Sequence, residues 1–329
     1  MLSTRYTAPL LVLLTALFIA GCAAGDEVAW KEGDAYLLQF MPEPGQAFAV
    51  QERVVQETST QVMNQEIDQT QETTREYRYD VRGIDDDGTV DLEVTTTRMA
   101  MDMQTPGGQQ QFDSDDERVP PLFRPSTAMV GQPFGVHVRP HGAIDRVGGV
   151  EDLMSVAEER VEELPNPEQA EAMMSQLESS VGEEALLENL RAGFGPLREG
   201  SIAEGDSWTD DYTMSIMMPL DVSTTYTLER VDEDEQTAHL SLDGTLTADD
   251  ADLEMAGAAM DLSVEGTQTG TMTLHLPTGM VQTADMEVEA EGSGSMDVPE
   301  EAAAQIDADQ LDVAISTAST TEITTQEVE

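Results

Sequence analysis

The sequence predicts a mainly β chain, α+β in the broad sense, built as two related antiparallel β units that are open-barrel-like and are separated by a short helical insertion. Three observations predict it. Apolar and polar residues alternate on both sides of acidic turns, which is the period of a half-buried strand pair. A set of phrases occurs twice in the same order, which marks an internal repeat. Between the two copies the apolar period lengthens to that of an amphipathic helix.

The first unit covers residues 33–149 and opens on Gly33-Asp34-Ala35-Tyr36. From Val50 to Thr74 the chain is rich in Gln, Glu and Thr, and its apolar residues Val54, Val62, Met63 and Ile67 are too sparse for a core face. This stretch reads as a long exposed hairpin, with a surface helix as the alternative. Tyr77, Tyr79 and Val81 then alternate up to Asp85-Asp86-Asp87-Gly88, and Val90, Leu92 and Val94 alternate after it, so the acidic run is a hairpin turn. Val136 and Val138 lead into Pro140-His141-Gly142-Ala143-Ile144, where Pro fixes one backbone angle and Gly supplies a positive one.

The helical insertion covers residues 150–200. Val150, Leu153, Met154, Ala157, Val161 and Leu164 recur at helical spacing. Pro165-Asn166-Pro167 ends that helix and starts a second, with Asn166 as cap and Pro167 in its first turn, and Ala170, Met173, Met174 and Leu177 continue on one face. Ser180 and Glu183 have capping-box spacing ahead of Leu186, Leu187 and Leu190, and Gly193 or Gly195 ends the third helix. Helices placed here cover the open face of a sheet, or form a lid over an apolar cavity.

The second unit, residues 201–329, repeats the phrases of the first. Gly205-Asp206-Ser207-Trp208 opens it, and Tyr226-Thr227-Leu228 leads through Val231-Asp232-Glu233-Asp234 into Ala238, Leu240 and Leu242. Met272 and Leu274 then precede Pro277-Thr278-Gly279-Met280-Val281. Ile84 and Pro140 are 56 residues apart and Val231 and Pro277 are 46 apart, so the copies differ in loop and strand length while keeping their order.

The N-terminus carries an address. Arg5 begins a short positive region, Leu10 to Ala20 are largely apolar, and Ile19-Ala20-Gly21-Cys22 has the aliphatic, small, small, Cys order of a lipoprotein signal. The apolar run is too short for a lasting bilayer span. Residues 1–21 are therefore expected to be a cleaved signal peptide, Cys22 the lipidated residue, and 22–32 a tether to the membrane. Cys22 is the single cysteine, so the chain forms no internal disulfide. Ala23 stands where inner-membrane lipoproteins carry a retaining Asp, which favours the outer membrane, facing either the periplasm or the surface.

Composition adds an environment. Against 66 acidic residues there are 15 basic ones, a net charge of −51, which excludes nucleic acid as a partner because phosphate binding needs clustered Lys and Arg. Removing residues 1–21 takes away Arg5 and no acid, leaving −52. Lys31 is the single lysine and the acids are spread along the whole chain, the pattern of proteins from salt-loving organisms. Screening over about 3 Å in molar salt, against about 30 Å at 0.01 M, makes such a surface tolerable.

Catalytic signatures are missing from the sequence: it has no G-x-S-x-G elbow, no Walker loop and no H-E-x-x-H, and its one cysteine is committed to lipid. No cofactor and no metal are called for, and the chain does not read as an enzyme. His137, His141, His239 and His275 read as ordinary surface or strand histidines. Asp85, Asp87 and Gly88 have the look of a calcium loop, but Thr96 occupies the place of its terminal Glu. Met99, Met101 and Met103 share one face of a strand and could offer soft ligands, although in a chain with 5% aromatics methionine is first a core filler.

These phrases, together with Phe112-Asp113-Ser114 and Gly148-Gly149 after the first Pro-x-Gly turn, resemble an uncharacterised family of bacterial envelope lipoproteins, a domain of unknown function. The resemblance spans most of residues 33–290 and implies an extracytoplasmic β-rich lipoprotein. It carries over no catalytic residue. At the level of fold class the chain is also similar to the open-barrel lipoprotein and lipid carriers of the periplasm. Two functions follow as expectations: a module that binds or carries an apolar ligand, or a structural or interaction module of the cell surface with a solid core.

Overall fold

The computed structural model describes residues 29–62, 65–162, 170, 173–175, 177–178, 182–215, 219–255, 258–297 and 310–328. Cys22, the signal peptide, Pro165-Asn166-Pro167 and Ser180 lie outside them. The alternating stretches form long strands. The first half supplies β1 (Lys31–Glu32), β2 (Ala35–Leu37), β3 (Ala47–Val62), β4 (Gln65–Ile84), β5 (Val90–Thr105), β6 (Gly108–Asp113), β7 (Pro133–Val138) and β8 (Ile144–Gly148). The second supplies β9 (Ser201–Ile202), β10 (Ser207–Ser215), β11 (Pro219–Asp232), β12 (Thr237–Met255), β13 (Ala258–His275), β14 (Val281–Asp297) and β15 (Gln310–Val328). The polar stretch after Val50 is a hairpin of β3 and β4, not a helix, because its Thr, Gln and Val alternate between two faces.

One antiparallel sheet runs β10-β11-β12-β13-β14-β15-β3-β4-β5-β7-β8, with β6 paired to the far half of β5 and a small sheet β1-β2-β9 beside it. The repeat is visible in this order. Strands β3, β4, β5, β7 and β8 follow one another across the sheet as β10, β11, β12, β13 and β14 do, and β15 joins the copies by bonding to both β14 and β3. The Pro-x-Gly turns occupy matching places, one between β7 and β8 and the other between β13 and β14.

One correspondence differs from the sequence reading. The partner of Gly205-Asp206-Ser207-Trp208 is Gly45-Gln46-Ala47-Phe48, not Gly33-Asp34-Ala35-Tyr36. Gly45 N–H donates to Val81 O at 2.9 Å and Gly205 N–H to Leu228 O at 2.7 Å, while Val81 and Leu228 donate back to Gln46 O and Asp206 O. The side chains of Gln46 and Asp206 likewise accept from Glu43 N and Ala203 N. Both glycines have positive φ, 89° and 87°. Gly33 instead sits in the tight turn between β1 and β2.

The acidic turns, both Pro-x-Gly turns and the start of β3 lie at one end of the sheet, and the core is concentrated there. Val90, Leu92, Val94, Val136, Val138, Leu228, Leu240 and Leu274 are buried to 1% exposure or less. Residues 38–41 run through this end as a strap. Phe40 N–H donates to Pro140 O at 2.6 Å, Met41 N–H to Thr278 O at 2.9 Å, and Leu38 O accepts from Arg198 N at 3.0 Å. Each donor or acceptor belongs to a different unit or to the insertion, so the strap ties all three together.

Helices α1 (Arg124–Ala128), α2 (Val150–Val161) and α3 (Glu183–Phe194) gather at this same end. Glu151 and Asp152 lie in the first turn of α2, where a carboxylate complements the helix dipole, and Leu153, Ala157 and Val161 are buried. Packing of α3 against both β8 and β10, the two edges of the sheet, requires the sheet to curl and places a helix across its gap. Glycines permit the curl. A Cβ on Gly270 of β13 would lie 2.4 Å from Asp285 O, and one on Gly266 would lie 2.8 Å from Glu289 O.

Candidate ligand-binding face

The cross-strand registers assign the paired residues of β3, β4, β5, β13, β14 and β15 to an inner or an outer face. The outer face is acidic. On β14 Asp285, Glu287, Glu289 and Glu291 form an exposed column, and no Lys or Arg follows Arg230 in the sequence. Cations on this face cluster on β3 to β5: Arg53 pairs with Glu72 at 2.8 Å and with Glu322 at 3.2 Å, and Arg98 pairs with Glu76 at 2.9 Å and Asp113 at 2.6 Å. Hydrogen bonds from the Arg98 guanidinium hold the Asp113 carboxyl below its ordinary range.

The inner face carries few charges, one of them Asp210 of β10 opposite the buried Thr224. Among the described residues of β3, β4, β5, β13 and β14, Glu52 and Arg75 are the ionisable acid and base on the inner register, directly opposite one another and 3.3 Å apart. Burial works against the Arg75 cation, but Tyr77 and Glu52 together hold its pKa above the ordinary value. Burial pushes the Tyr77 phenol up to about 12 and raises Tyr79 as well. The Arg75 side chain keeps 42% of its surface accessible and Glu52 26%, so the pair is not sealed in the core.

Beyond this pair, away from the closed end, the inner face stays partly open and its two walls differ. Along β14 it presents Ala284, Met286, Val288 and Ala290; along β3 and β4 it presents Val54, Gln56, Thr58, Thr73, Gln71 and Gln69. Between them β15 contributes Thr321, Ser319 and Thr317. The amides bond locally, Gln71 Nε2 to Thr73 Oγ1 at 3.1 Å, Gln56 Nε2 to Thr58 Oγ1 at 3.3 Å, and Gln268 to the buried Thr224. At the far end Leu262 and Val313 meet across Gly294 in a second small cluster with Val62, Val264 and Ile315. The result is a trough with one apolar and one hydrogen-bonding wall.

Met99, Met101 and Met103 lie on the inner register of β5, beside Arg75, Thr73 and Gln71, and are partly buried. The Met103 sulfur accepts from Gln69 Nε2 at 3.4 Å. The four histidines are not brought together: His137 faces Arg146 at 2.8 Å, His141 lies 3.8 Å from Glu199, His239 is held by Thr273 at 3.2 Å and His275 by Thr278 at 2.9 Å. Burial lowers the pKa of His239 and His275. Asp87 Oδ1 accepts from Thr89 N at 3.1 Å, which makes the acidic run an exposed turn. Among the described residues no group of three or more His, Cys, Asp or Glu could hold a metal ion.

Two concavities lie elsewhere. One of about 610 Å³ crosses the outer face near Gln61, Asp261, Ser295 and Asp312. Another of about 360 Å³ borders α2 near Met154, Glu158, Glu178 and Glu183. Both are open to solvent and rimmed by carboxylates.

The model of a family of unknown function, DUF6263, matches residues 87–281. The chain belongs to that family. The match begins inside the first acidic turn and ends just past the second Pro-x-Gly turn, so it takes in β5 to β13 with the helical insertion. No curated protein matches this DUF6263 member. Among solved structures it is similar to lipovitellin, in a structure titled for lipid–protein interactions, with a TM-score of 0.41 and 9% identity over 86% of this chain and 25% of that one. It thus spans about a quarter of the lipovitellin chain. It is also similar to an outer membrane channel from Pseudomonas putida F1, with a TM-score of 0.22 and 8% identity over 90% of this chain and 99% of that one. Against OccK7 of Pseudomonas aeruginosa the TM-score is 0.23 and the identity 7%, over 87% of this chain and 100% of that one. These scores carry no functional argument. No helix among the described residues of this DUF6263 member is long and apolar enough to cross a membrane.

Proposed function

We propose that this DUF6263 protein is a lipid-anchored, extracytoplasmic envelope protein of a salt-adapted bacterium, held in the outer membrane through Cys22, and that it binds an apolar ligand in the trough of its curled sheet. The observation that carries the ligand is a set of uncovered apolar side chains: Met286 and Val288 on β14, Val54 on β3 and Met101 on β5 keep accessible surface on an inner face with few charges, while the outer face carries most of the acids. Burying one such side chain against an acyl chain is worth about 1.5–3 kcal/mol when complete. The motif Ile19-Ala20-Gly21-Cys22 supports the anchor.

A purely structural module is the second reading, and one observation favours it. Leu153, Ala157 and Val161 of α2 are packed into the core, so the space beneath this helix is filled and not a cavity. Native mass spectrometry of protein purified from its own membranes separates the two. Ligand binding requires an added non-covalent mass that disappears in Val288→Glu; a bare wild-type mass leaves the structural module.

A further inference from the structure

We infer that the trough takes an amphiphile whose head group carries no net charge, with the head at Glu52 and Arg75 and the chain along β14; this rests on the apolar-ligand reading above. The two walls differ in what they offer a ligand. Ala284, Met286, Val288 and Ala290 offer no hydrogen bond, whereas the facing column on β3 and β4 offers amides, hydroxyls and one ion pair. Only β15 separates them, so the walls stand about 10 Å apart along the sheet, two strand spacings. A wholly apolar ligand would leave Gln56 and Gln71 dehydrated without new partners, at a cost of roughly 1–3 kcal/mol for each group left unpaired. A ligand apolar on one side and polar on the other meets both walls.

Charge narrows the head group. Glu52 and Arg75 sum to zero, and both stay accessible. The remaining groups on that wall, Gln56, Gln71, Thr58 and Thr73, are neutral donors and acceptors. A head with balanced charges can place its anion on the guanidinium and its cation on the carboxylate without breaking the local neutrality. A net anionic head gains Arg75 but meets Glu52 beside it and a protein of net charge −51.

The test is uptake from mixed vesicles. Full-length lipidated protein in 1 M ammonium acetate, about the salt at which screening is short, is incubated with equimolar phosphatidylcholine and phosphatidylglycerol, and bound lipid is identified by native mass spectrometry. Wild type is expected to hold phosphatidylcholine preferentially. Glu52→Gln leaves Arg75 unpaired and should raise the phosphatidylglycerol share by roughly three- to tenfold, the scale of one charge-assisted contact; Arg75→Gln should lower it further. Glu57→Gln, one charge removed on the outer register of the same strand, should leave the ratio unchanged. Uptake with one ratio in wild type, Glu52→Gln and Arg75→Gln, all shown folded by circular dichroism, overturns the head-group assignment alone. Wild-type protein that takes up neither lipid overturns the ligand reading itself.

Discussion

Gly279→Ala should cost far more than Gly45→Ala, although both glycines have a left-handed backbone. Gly279 has φ of 71°, where a Cβ costs about 1–2 kcal/mol through local sterics alone. Its Cβ would also lie 2.0 Å from Gln39 O and 2.9 Å from the Phe40 Cα, so the strap has to withdraw. Withdrawal strains the Met41 to Thr278 hydrogen bond and begins to uncover Leu38 and Phe40, now 1% and 0% exposed. A lost hydrogen bond contributes about 1 kcal/mol and partial exposure of the two side chains about 2 kcal/mol, for a total near 4–5 kcal/mol. Gly45→Ala is the control, because Gly45 has φ of 89° with nothing within 4 Å of its Cβ position, and it should lose only about 1–2 kcal/mol. Urea denaturation of both variants in molar NaCl gives the comparison. Equal losses would refute the strap as a clasp.

Cooperative folding is expected in molar NaCl, with a lower melting temperature or partial unfolding at about 0.01 M, and hydrogen exchange should show β12 to β14 opening first, since no cation follows Arg230 to pair their acids; a salt-independent melting curve would refute this. The Asp113 carboxyl, held low by Arg98, contributes stability present above its unfolded pKa of about 4 and lost as pH falls through its lower folded value. Arg98→Gln should therefore flatten the acid limb of a stability titration. His275 is lowered by burial, so the unfolded chain takes up its proton first and stability falls as pH drops through about 6.5; His275→Gln should remove that part of the slope. Cys22→Ser should move the protein from the membrane fraction to the soluble one, and a variant that still pellets after a salt wash would refute lipid anchoring.

Alternation made the hairpins legible, because a period of two needs no knowledge of neighbours: Tyr77, Tyr79 and Val81 face inward as their spacing demands. The order of the repeat was legible for the same reason. Its opening phrase was not, since Gly33 and Gly45 each precede a polar, a small and an aromatic residue, and only the hydrogen bonds to Val81 distinguish them. The trough was hidden more deeply. Met286 becomes the neighbour of Thr321, and Thr321 of Val54, through registers between strands far apart in sequence, and local patterns hold no record of them. Alternation did mark Met99, Met101 and Met103 as sharing a face; it could not say that the face is only partly covered.

The place of β15 between the copies governs how the molecule is assembled. Val62 of β3 pairs with Val313, 251 residues later, and the whole length of β3 waits for that partner. Until β15 arrives, one side of β3 and one side of β14 are long rows of unpaired backbone donors and acceptors, able to capture any passing strand. Pairings this distant also carry the largest loop-closure cost, which places the joining of the two copies late and makes it slow. A chain exported unfolded would face that interval outside the cytoplasm, and the acidic outer register of β14 supplies like-charge repulsion against a second copy at that edge during it.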